Sequence, residues 1–169
     1  MEDKILKEGR FEFDFSNSLD ALVADKPQYH GLSAVDFIVE TDDKFLFIEV
    51  KDPDHPHALK FGNPDEFIEE LKKPAKLMGK FKDSLLKELA KGRAFQKPVV
   101  YVIVLKWGKL DAAQRRKTFE NIQSTLPRFK EDYFPIDFFR IYAFAAAQSY
   151  DHRTIARLDA NAEKVSKEV

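Results

Sequence analysis

The stretch that decides the fold reads Ala34-Val35-Asp36-Phe37-Ile38-Val39-Glu40-Thr41-Asp42-Asp43-Lys44-Phe45-Leu46-Phe47-Ile48-Glu49-Val50-Lys51. It contains two runs rich in β-branched and aromatic residues, which favour strands. The polar segment between them is typical of a turn. Pro53 ends the second run, because proline cannot donate a hydrogen bond to a neighbouring strand. The stretch therefore predicts an antiparallel β-hairpin.

The turn fixes which residues of the two strands lie opposite each other. A turn centred on Asp42 and Asp43 places Asp36 opposite Glu49, with both side chains on one face. Lys51 projects from that same face, about 7 Å further along the strand. The opposite face is wholly apolar and is predicted to be core; it comprises Val35, Phe37, Val39, Leu46, Ile48 and Val50.

Two carboxylates that face each other across a strand pair repel, and burial increases that cost. A bound divalent cation would remove it. Mg²⁺ prefers a few carboxylate oxygens together with water and phosphate, which Asp36, Glu49 and the Val50 carbonyl could supply. Lys51 could then orient or deprotonate an attacking water and neutralise charge on a phosphate. The alternative is that Asp36 faces solvent and that Glu49-Val50-Lys51 is a chance triplet.

The remaining pattern places this hairpin in one α/β domain. The chain has 169 residues, of which 44% are hydrophobic, enough for a single core. Val99–Leu105 is a continuous apolar run, typical of a strand covered on both faces. Apolar residues recur at helical spacing over Asp65–Ala90, with a division expected at Pro74.

The other elements are predicted from local signals. We expect helices at Glu2–Lys7, Leu19–Ala24 and Asp111–Thr125, and strands at Phe11–Phe15 and Asp137–Ala145. A peripheral helical tail is predicted over residues 151–169. Together these elements predict an α/β sandwich with a central mixed sheet flanked by helices.

Composition excludes several classes of protein. The longest apolar runs have seven residues, too few to cross a bilayer, and the charged N-terminus lacks a signal-peptide core. A soluble, cytoplasmic protein without a membrane partner is expected. The absence of cysteine excludes disulfides, thiolate zinc sites and a cysteine nucleophile. No phosphate-binding glycine loop, dinucleotide fingerprint or Gly-x-Ser-x-Gly motif is found.

The segments Ala34-Val35-Asp36-Phe37 and Phe47-Ile48-Glu49-Val50-Lys51 resemble the PD-(D/E)xK nuclease superfamily, which includes restriction endonucleases and archaeal Holliday-junction resolvases. The resemblance covers a core from about residue 8 to 145, within a single domain spanning 1–169. It implies a restriction-endonuclease-like αβββαβ fold and hydrolysis of DNA phosphodiesters that depends on Mg²⁺ or Mn²⁺.

Carried over by position, the resemblance implies that Asp36 and Glu49 are catalytic metal ligands and that Lys51 is the catalytic lysine. Val35 replaces the proline of the motif. Many members carry a further acid on the first helix, for which Glu8, Asp14, Asp20 and Asp25 are equal candidates. Some members of the superfamily have lost catalysis, so a non-catalytic binding or interaction module is the alternative function. A third reading is a partner subunit that dimerises through a Phe-rich surface.

Charge is distributed unevenly along the chain. Residues 1–70 carry 18 acidic and 7 basic side chains, whereas residues 71–169 carry 11 acidic and 21 basic ones. Either the basic half meets a polyanion or the two halves attract each other. A net charge of -1 favours only local contact with nucleic acid.

Some individual residues could contribute to such contacts. A lysine stripe on the long helix could follow a phosphate backbone, but a solvated surface with pairs such as Glu69–Lys73 explains it better; the stripe comprises Lys73, Lys76, Lys80, Lys87 and Lys91. Other weak candidates for metal, phosphate or base contact are His55, His57, Tyr101, Trp107, Arg115, Arg116 and Lys117. Loop structure, core packing or solvent exposure is the simpler reading of each.

Overall fold

The computed structural model describes residues 4–9, 11–25, 31–52, 64–73, 76–93, 97–105, 111–125, 136–137 and 149–151. These residues form eight strands and three helices. The strands are β1 (Ile5–Glu8), β2 (Phe11–Asp14), β3 (Asp20–Val23), β4 (Phe37–Glu40), β5 (Phe45–Lys51), β6 (Val99–Leu105), β7 (Ile136–Asp137) and β8 (Ser149–Asp151). The helices are α1 (Pro64–Leu71), α2 (Leu77–Ala90) and α3 (Ala112–Thr125).

The main sheet is mixed and has the strand order β3-β4-β5-β6-β7. β4 runs antiparallel to both β3 and β5, whereas β5, β6 and β7 run parallel to one another. A smaller sheet has the order β1-β2-β8. The protein is therefore mixed α/β. The predicted hairpin is confirmed in its register, because Glu40 lies opposite Phe45 and Ile38 opposite Phe47.

The central strands β4, β5 and β6 are buried apart from Glu40 and Lys51 at two strand ends, and all seven residues of β6 are buried as predicted. On one face, Phe47 and Tyr101 pack with Phe67 and Phe81 of α1 and α2, together with Ile122 of α3. We call this the helix-side core. The other face packs against the smaller sheet through a strand-side core of Phe11, Phe13, Phe15, Phe37, Val39, Leu46, Ile48, Val50, Val100, Val102 and Val104. The sheet is thus the middle layer of three.

The predicted long helix is divided, since α1 ends at Leu71 and α2 begins at Leu77. The buried residues of α2 are Leu77, Phe81, Ser84 and Glu88. Leu86 and Leu89 are exposed. At 100° per residue, the buried face is rotated by about 75° from the face that the apolar spacing of Met78, Phe81, Leu85 and Leu89 predicts.

A hydrogen bond explains this rotation of α2. The Val35 N–H donates to Ser84 Oγ at 2.9 Å, inside the core. Because Val35 precedes β4 and is tied to α2 there, it packs in the helix-side core. Its predicted place on the opposite face with Phe37 was therefore wrong.

A charge cluster anchors the other end of α2. The Arg93 guanidinium lies 2.8 Å from Asp20 Oδ2, 3.4 Å from Glu40 Oε2 and 3.5 Å from Glu88 Oε2. Lys97 Nζ lies 2.6 Å from Glu40 Oε1. Because Glu88 is almost fully buried, Arg93 and Lys91, whose Nζ lies 2.7 Å from Glu88 Oε1, compensate a carboxylate that water cannot solvate.

The helices predicted near the N-terminus were wrong. Within the predicted Glu2–Lys7 helix, residues from Ile5 onward form β1, which turns at Gly9 (φ 56°) and pairs with β2. The predicted Leu19–Ala24 helix is β3, which pairs with the edge of β4. In both places pairing with a neighbouring strand overrides the local helix signals.

The C-terminal predictions are tested only in part. The helix at Asp111–Thr125 is confirmed as α3. Asp137 lies in β7, while residues 138–148 lie outside the described residues. Asp151 belongs to β8 rather than to a helix, because it pairs with Asp14 of β2. Residues 152–169 of the predicted tail also lie outside the described residues. Among the described helices, none combines the length and the apolar character needed to span a bilayer.

Replacing Ser84 with alanine should lower the free energy of unfolding by about 1–3 kcal/mol, because the buried Val35 N–H then lacks an acceptor. Urea denaturation followed by circular dichroism measures this change. Ser124→Ala, at an exposed position of α3, is the matched control and should change stability by less than about 0.5 kcal/mol. Equal stabilities of the two variants would contradict the proposed role of this bond.

Replacing Arg93 with glutamine should cost about 1–3 kcal/mol, because Glu88 stays buried while losing a cation. The exposed Arg116–Glu120 pair, 3.0 Å apart on α3, provides the control. Arg116→Gln should cost less than about 0.5 kcal/mol, since exposed ion pairs contribute little. A cost for Arg93→Gln as small as this control would show that Glu88 does not depend on Arg93.

Candidate functional site

The candidate site lies on the helix side of the hairpin, where β4 begins and β5 ends. Asp36 directly precedes β4 and is 6% exposed, and Glu49 lies in β5 and is fully buried. Lys51 ends β5, and Lys80 reaches the site from the first turn of α2. The alternation of β5 places Glu49 and Lys51 on the same face. Two acids and two lysines therefore meet at one place.

Backbone hydrogen bonds hold Asp36 from both neighbouring strands. The Val50 N–H donates to Asp36 Oδ2 at 2.6 Å. The Ala24 N–H, directly after β3, donates to the Asp36 carbonyl at 2.9 Å. The side chain of Asp36 is thus fixed to β5 and its backbone to the end of β3, which leaves Oδ1 directed to other partners.

Lys80 joins the two acids. Its Nζ lies 3.3 Å from Asp36 Oδ1, and 2.7 Å and 2.9 Å from the two carboxylate oxygens of Glu49. Lys51 Nζ donates to Glu49 Oε1. The structure therefore places Asp36 and Glu49 around a single cationic atom, with a second ammonium group beside them.

Burial and charge shift the pKa values of the site in a consistent way. Burial is the main cause that raises the pKa of Glu49; the Asp36 carboxylate also raises it, and Lys51 and Lys80 oppose both. Burial lowers the pKa of Lys80, but the attraction of Glu49 and Asp36 outweighs burial, so its pKa is raised. Lys80 is therefore charged at neutral pH.

Tyr101 closes the inner side of the site. It is fully buried beneath α2, and its hydroxyl donates to the Leu77 carbonyl at 3.1 Å. Burial, with the nearby charges of Glu49 and Asp36, raises its pKa well above the usual value. Tyr101 is thus a neutral phenol that packs in the core, which is the role that its position in an apolar strand predicted.

The predicted site residues have different outcomes. Asp36, Glu49 and Lys51 lie together. Val50 adjoins the site through its N–H, while its side chain packs in the strand-side core. Its carbonyl as a metal ligand stays a prediction. Among the described residues, no group of three His, Cys, Asp or Glu side chains could hold a metal ion.

The four candidates for an additional acid are not equivalent in the structure. Glu8 lies in β1. Asp14 Oδ1 accepts hydrogen bonds from the Ser16 N–H at 2.9 Å and from Ser16 Oγ at 2.6 Å. Asp20 pairs with Arg93 at the far end of the sheet. Asp25 follows Ala24, which bonds Asp36. Its Oδ1 is buried and finds no hydrogen-bond partner among the described residues. Of the four candidates, Asp25 is thus the one whose neighbour in the chain, Ala24, is hydrogen-bonded to Asp36.

Lys80 is the site residue that the sequence pattern misassigned. The lysine stripe was predicted to be nearly opposite the apolar face, but the rotation of α2 turns Lys80 towards the sheet. Lys73 and Lys76 pair with Glu70 at 2.5 and 3.0 Å. The predicted Glu69–Lys73 pair is replaced, because Glu69 contacts Lys72. The sequence signal for this rotation was that Ser84 and Glu88 lie at helical spacing from Leu77 and Phe81, and therefore on the same face of α2.

Two further members of the stripe also have partners. Lys87 Nζ lies 3.3 Å from the Ala24 carbonyl oxygen, and Lys91 Nζ lies 2.7 Å from Glu88 Oε1. On α3, Arg116 pairs with Glu120. His55, His57 and Trp107 lie outside the described residues. The described part of the stripe is therefore engaged by protein groups.

The acid pair has the donor chemistry of a divalent-cation site. Carboxylate oxygens are the ligands that Mg²⁺ prefers. Asp36 Oδ1 and both oxygens of Glu49 already converge on a cation, the ammonium group of Lys80. These three oxygens are donors of the type that a divalent ion takes, and the Lys80 ammonium group lies among them.

Comparison of the chain with protein-family models, with curated proteins and with solved structures gave no significant match.

Proposed function

We propose that the protein is a metal-dependent, nuclease-like phosphodiester hydrolase that acts on DNA. One observation carries this proposal: two buried carboxylates, Asp36 and Glu49, come from adjacent strands and converge on one cation, with Lys51 beside them. Like charges at this spacing are costly inside a protein unless a cation compensates them. A catalytic metal site would explain why the fold maintains this costly arrangement of like charges.

The strand topology supports a restriction-endonuclease-like arrangement. β3, β4 and β5 form an antiparallel meander, and helices α1 and α2 lead to the parallel strand β6. This is the βββαβ part of the proposed order. Among the described residues no helix precedes β3, so the first helix of that order has no counterpart there.

Each residue has a distinct proposed role. Asp36 and Glu49 would hold Mg²⁺ or Mn²⁺, and the ion would supply a bound water of lowered pKa and polarise the phosphodiester. The Val50 N–H engages Asp36 Oδ2, so that Oδ1, which contacts Lys80 Nζ, is the oxygen directed towards the proposed metal position. Lys51 orients the attacking water and neutralises charge that develops on the phosphate. Contact with DNA is local, because the chain is nearly neutral overall.

One observation favours a second candidate function, a non-catalytic binding module with the same fold. Lys51 and Lys80 together already compensate the acid pair, and no third acidic ligand joins it among the described residues. Such a module would keep the acidic hairpin as an ion-paired structural element. The two candidates differ in one measurable property, the cleavage of DNA.

The full-length chain should cleave plasmid or branched DNA in the presence of Mg²⁺ or Mn²⁺ and lose this activity in EDTA. Asp36→Asn, Glu49→Gln and Lys51→Met should each reduce the rate by about 100-fold or more, since each removes a metal ligand or the proposed catalytic cation. Gel electrophoresis of the products measures the rate.

Lys82→Met is the matched control, because Lys82 is exposed on α2; it should retain the rate of the native chain. Circular dichroism establishes that each variant is folded. Absence of cleavage with both metals and both substrates would favour the binding module, and cleavage that survives all three substitutions would place the active site elsewhere.

A further inference from the structure

We propose that Lys80 is an internal counter-ion that occupies the metal position, so that a divalent cation must displace its ammonium group to bind. This inference rests on the proposed metal site at Asp36 and Glu49, but it concerns metal affinity rather than DNA cleavage. Under this inference, Lys80 lowers the affinity of the site for a divalent cation.

The contacts of Lys80 resemble those of a bound cation. An ammonium group has three hydrogen-bond donors and no acceptor. Here three carboxylate oxygens surround Nζ, one from Asp36 and two from Glu49, at 3.3, 2.7 and 2.9 Å. These are the oxygens that a divalent ion would need. Mg²⁺ requires oxygens at about 2.0–2.1 Å, so the ion and Nζ cannot share them.

Charge balance leads to the same conclusion. Two carboxylates and the ammonium groups of Lys51 and Lys80 sum to zero. A divalent ion added to this set would leave two uncompensated positive charges in a place where water is largely excluded. Departure of Lys80 removes one of them. Metal binding and Lys80 binding are therefore competitive for electrostatic as well as steric reasons.

Lys80 is better placed to leave than Lys51. It projects from α2, whereas Lys51 belongs to the same strand as Glu49. The Lys80 side chain is 25% exposed, so part of it is in contact with solvent. Rotation about the bonds of its flexible stem moves the charge into water without moving the helix. The sheet and its acid pair stay in place during the exchange.

The test compares Lys80→Met with Lys82→Met, an exposed lysine on the same helix. The full chain is freed of metal with EDTA, dialysed, and titrated with Mn²⁺ by calorimetry and by electron paramagnetic resonance. Lys80→Met should bind Mn²⁺ at least about 10-fold more tightly than the native chain, because the metal no longer displaces a cation. Lys82→Met should bind as the native chain does.

Thermal unfolding supplies a second readout. Without metal, Lys80→Met should unfold at a temperature several degrees lower than the native chain, because its buried carboxylates lose a counter-ion. Saturating Mn²⁺ should recover most of this loss and should stabilise the native chain less. Lys80→Arg keeps the positive charge, folds without the loss of a cation, and should bind Mn²⁺ no more tightly than the native chain.

The outcomes separate this inference from the proposed function. Tighter Mn²⁺ binding by Lys80→Met, abolished by adding Glu49→Gln, supports the counter-ion role even when no DNA is cleaved. Equal or weaker binding by Lys80→Met overturns it, even when the native chain is an active nuclease. Absence of Mn²⁺ binding in every variant overturns both. If Lys80→Met fails to fold, tighter binding by Lys80→Arg than by the native chain overturns the counter-ion role.

Discussion

The site depends on placing two like charges side by side inside the protein. Glu49 is fully buried and Asp36 nearly so, and the repulsion between them is part of what raises the pKa of Glu49. This arrangement is tolerated because each acid has specific partners. Asp36 binds the Val50 N–H, and Lys80 binds both acids. Removal of any one partner leaves charge or hydrogen-bonding capacity unmet, which costs more in the core than at the surface.

The position of α2 is therefore a functional matter as well as a packing one. The helix is tied to the chain before β4 through Ser84 and Val35, and its C-terminal end is held by the Glu88–Arg93 cluster. These two anchors set the rotation that turns Lys80 towards the acids. A helix placed by its leucines alone would bury Leu85 and Leu89 and would direct Lys80 to solvent. Two buried polar residues, Ser84 and Glu88, thus contribute to the geometry of the site from a distance.

The hairpin was predictable because its signals are local and mutually consistent: strand propensity, a polar turn, and an alternation that allows one register. That register correctly brought Asp36 towards Glu49. The position of Lys80 depends instead on how α2 packs on the sheet. The spacing of the apolar residues in α2 predicted that packing incorrectly. The strands β1 and β3 were missed for a related reason, since their own sequences suggested helices and each exists as a strand through pairing with a neighbouring strand. Strand pairing and helix rotation thus account for the main errors.

The uneven charge of the chain has its explanation in these same contacts. The acids of the first 70 residues and the cations of the remainder meet in the folded protein: Lys80 with Asp36 and Glu49, Arg93 with Asp20, and Lys97 with Glu40. Attraction between the two halves therefore accounts for part of the asymmetry. Cations engaged in this way contribute little to counter-ion release on DNA, because affinity follows the number of phosphates neutralised. Under the proposed exchange, a lysine released from the acid pair by metal would become available to a phosphate only when the site is loaded, so metal binding and DNA contact would favour each other.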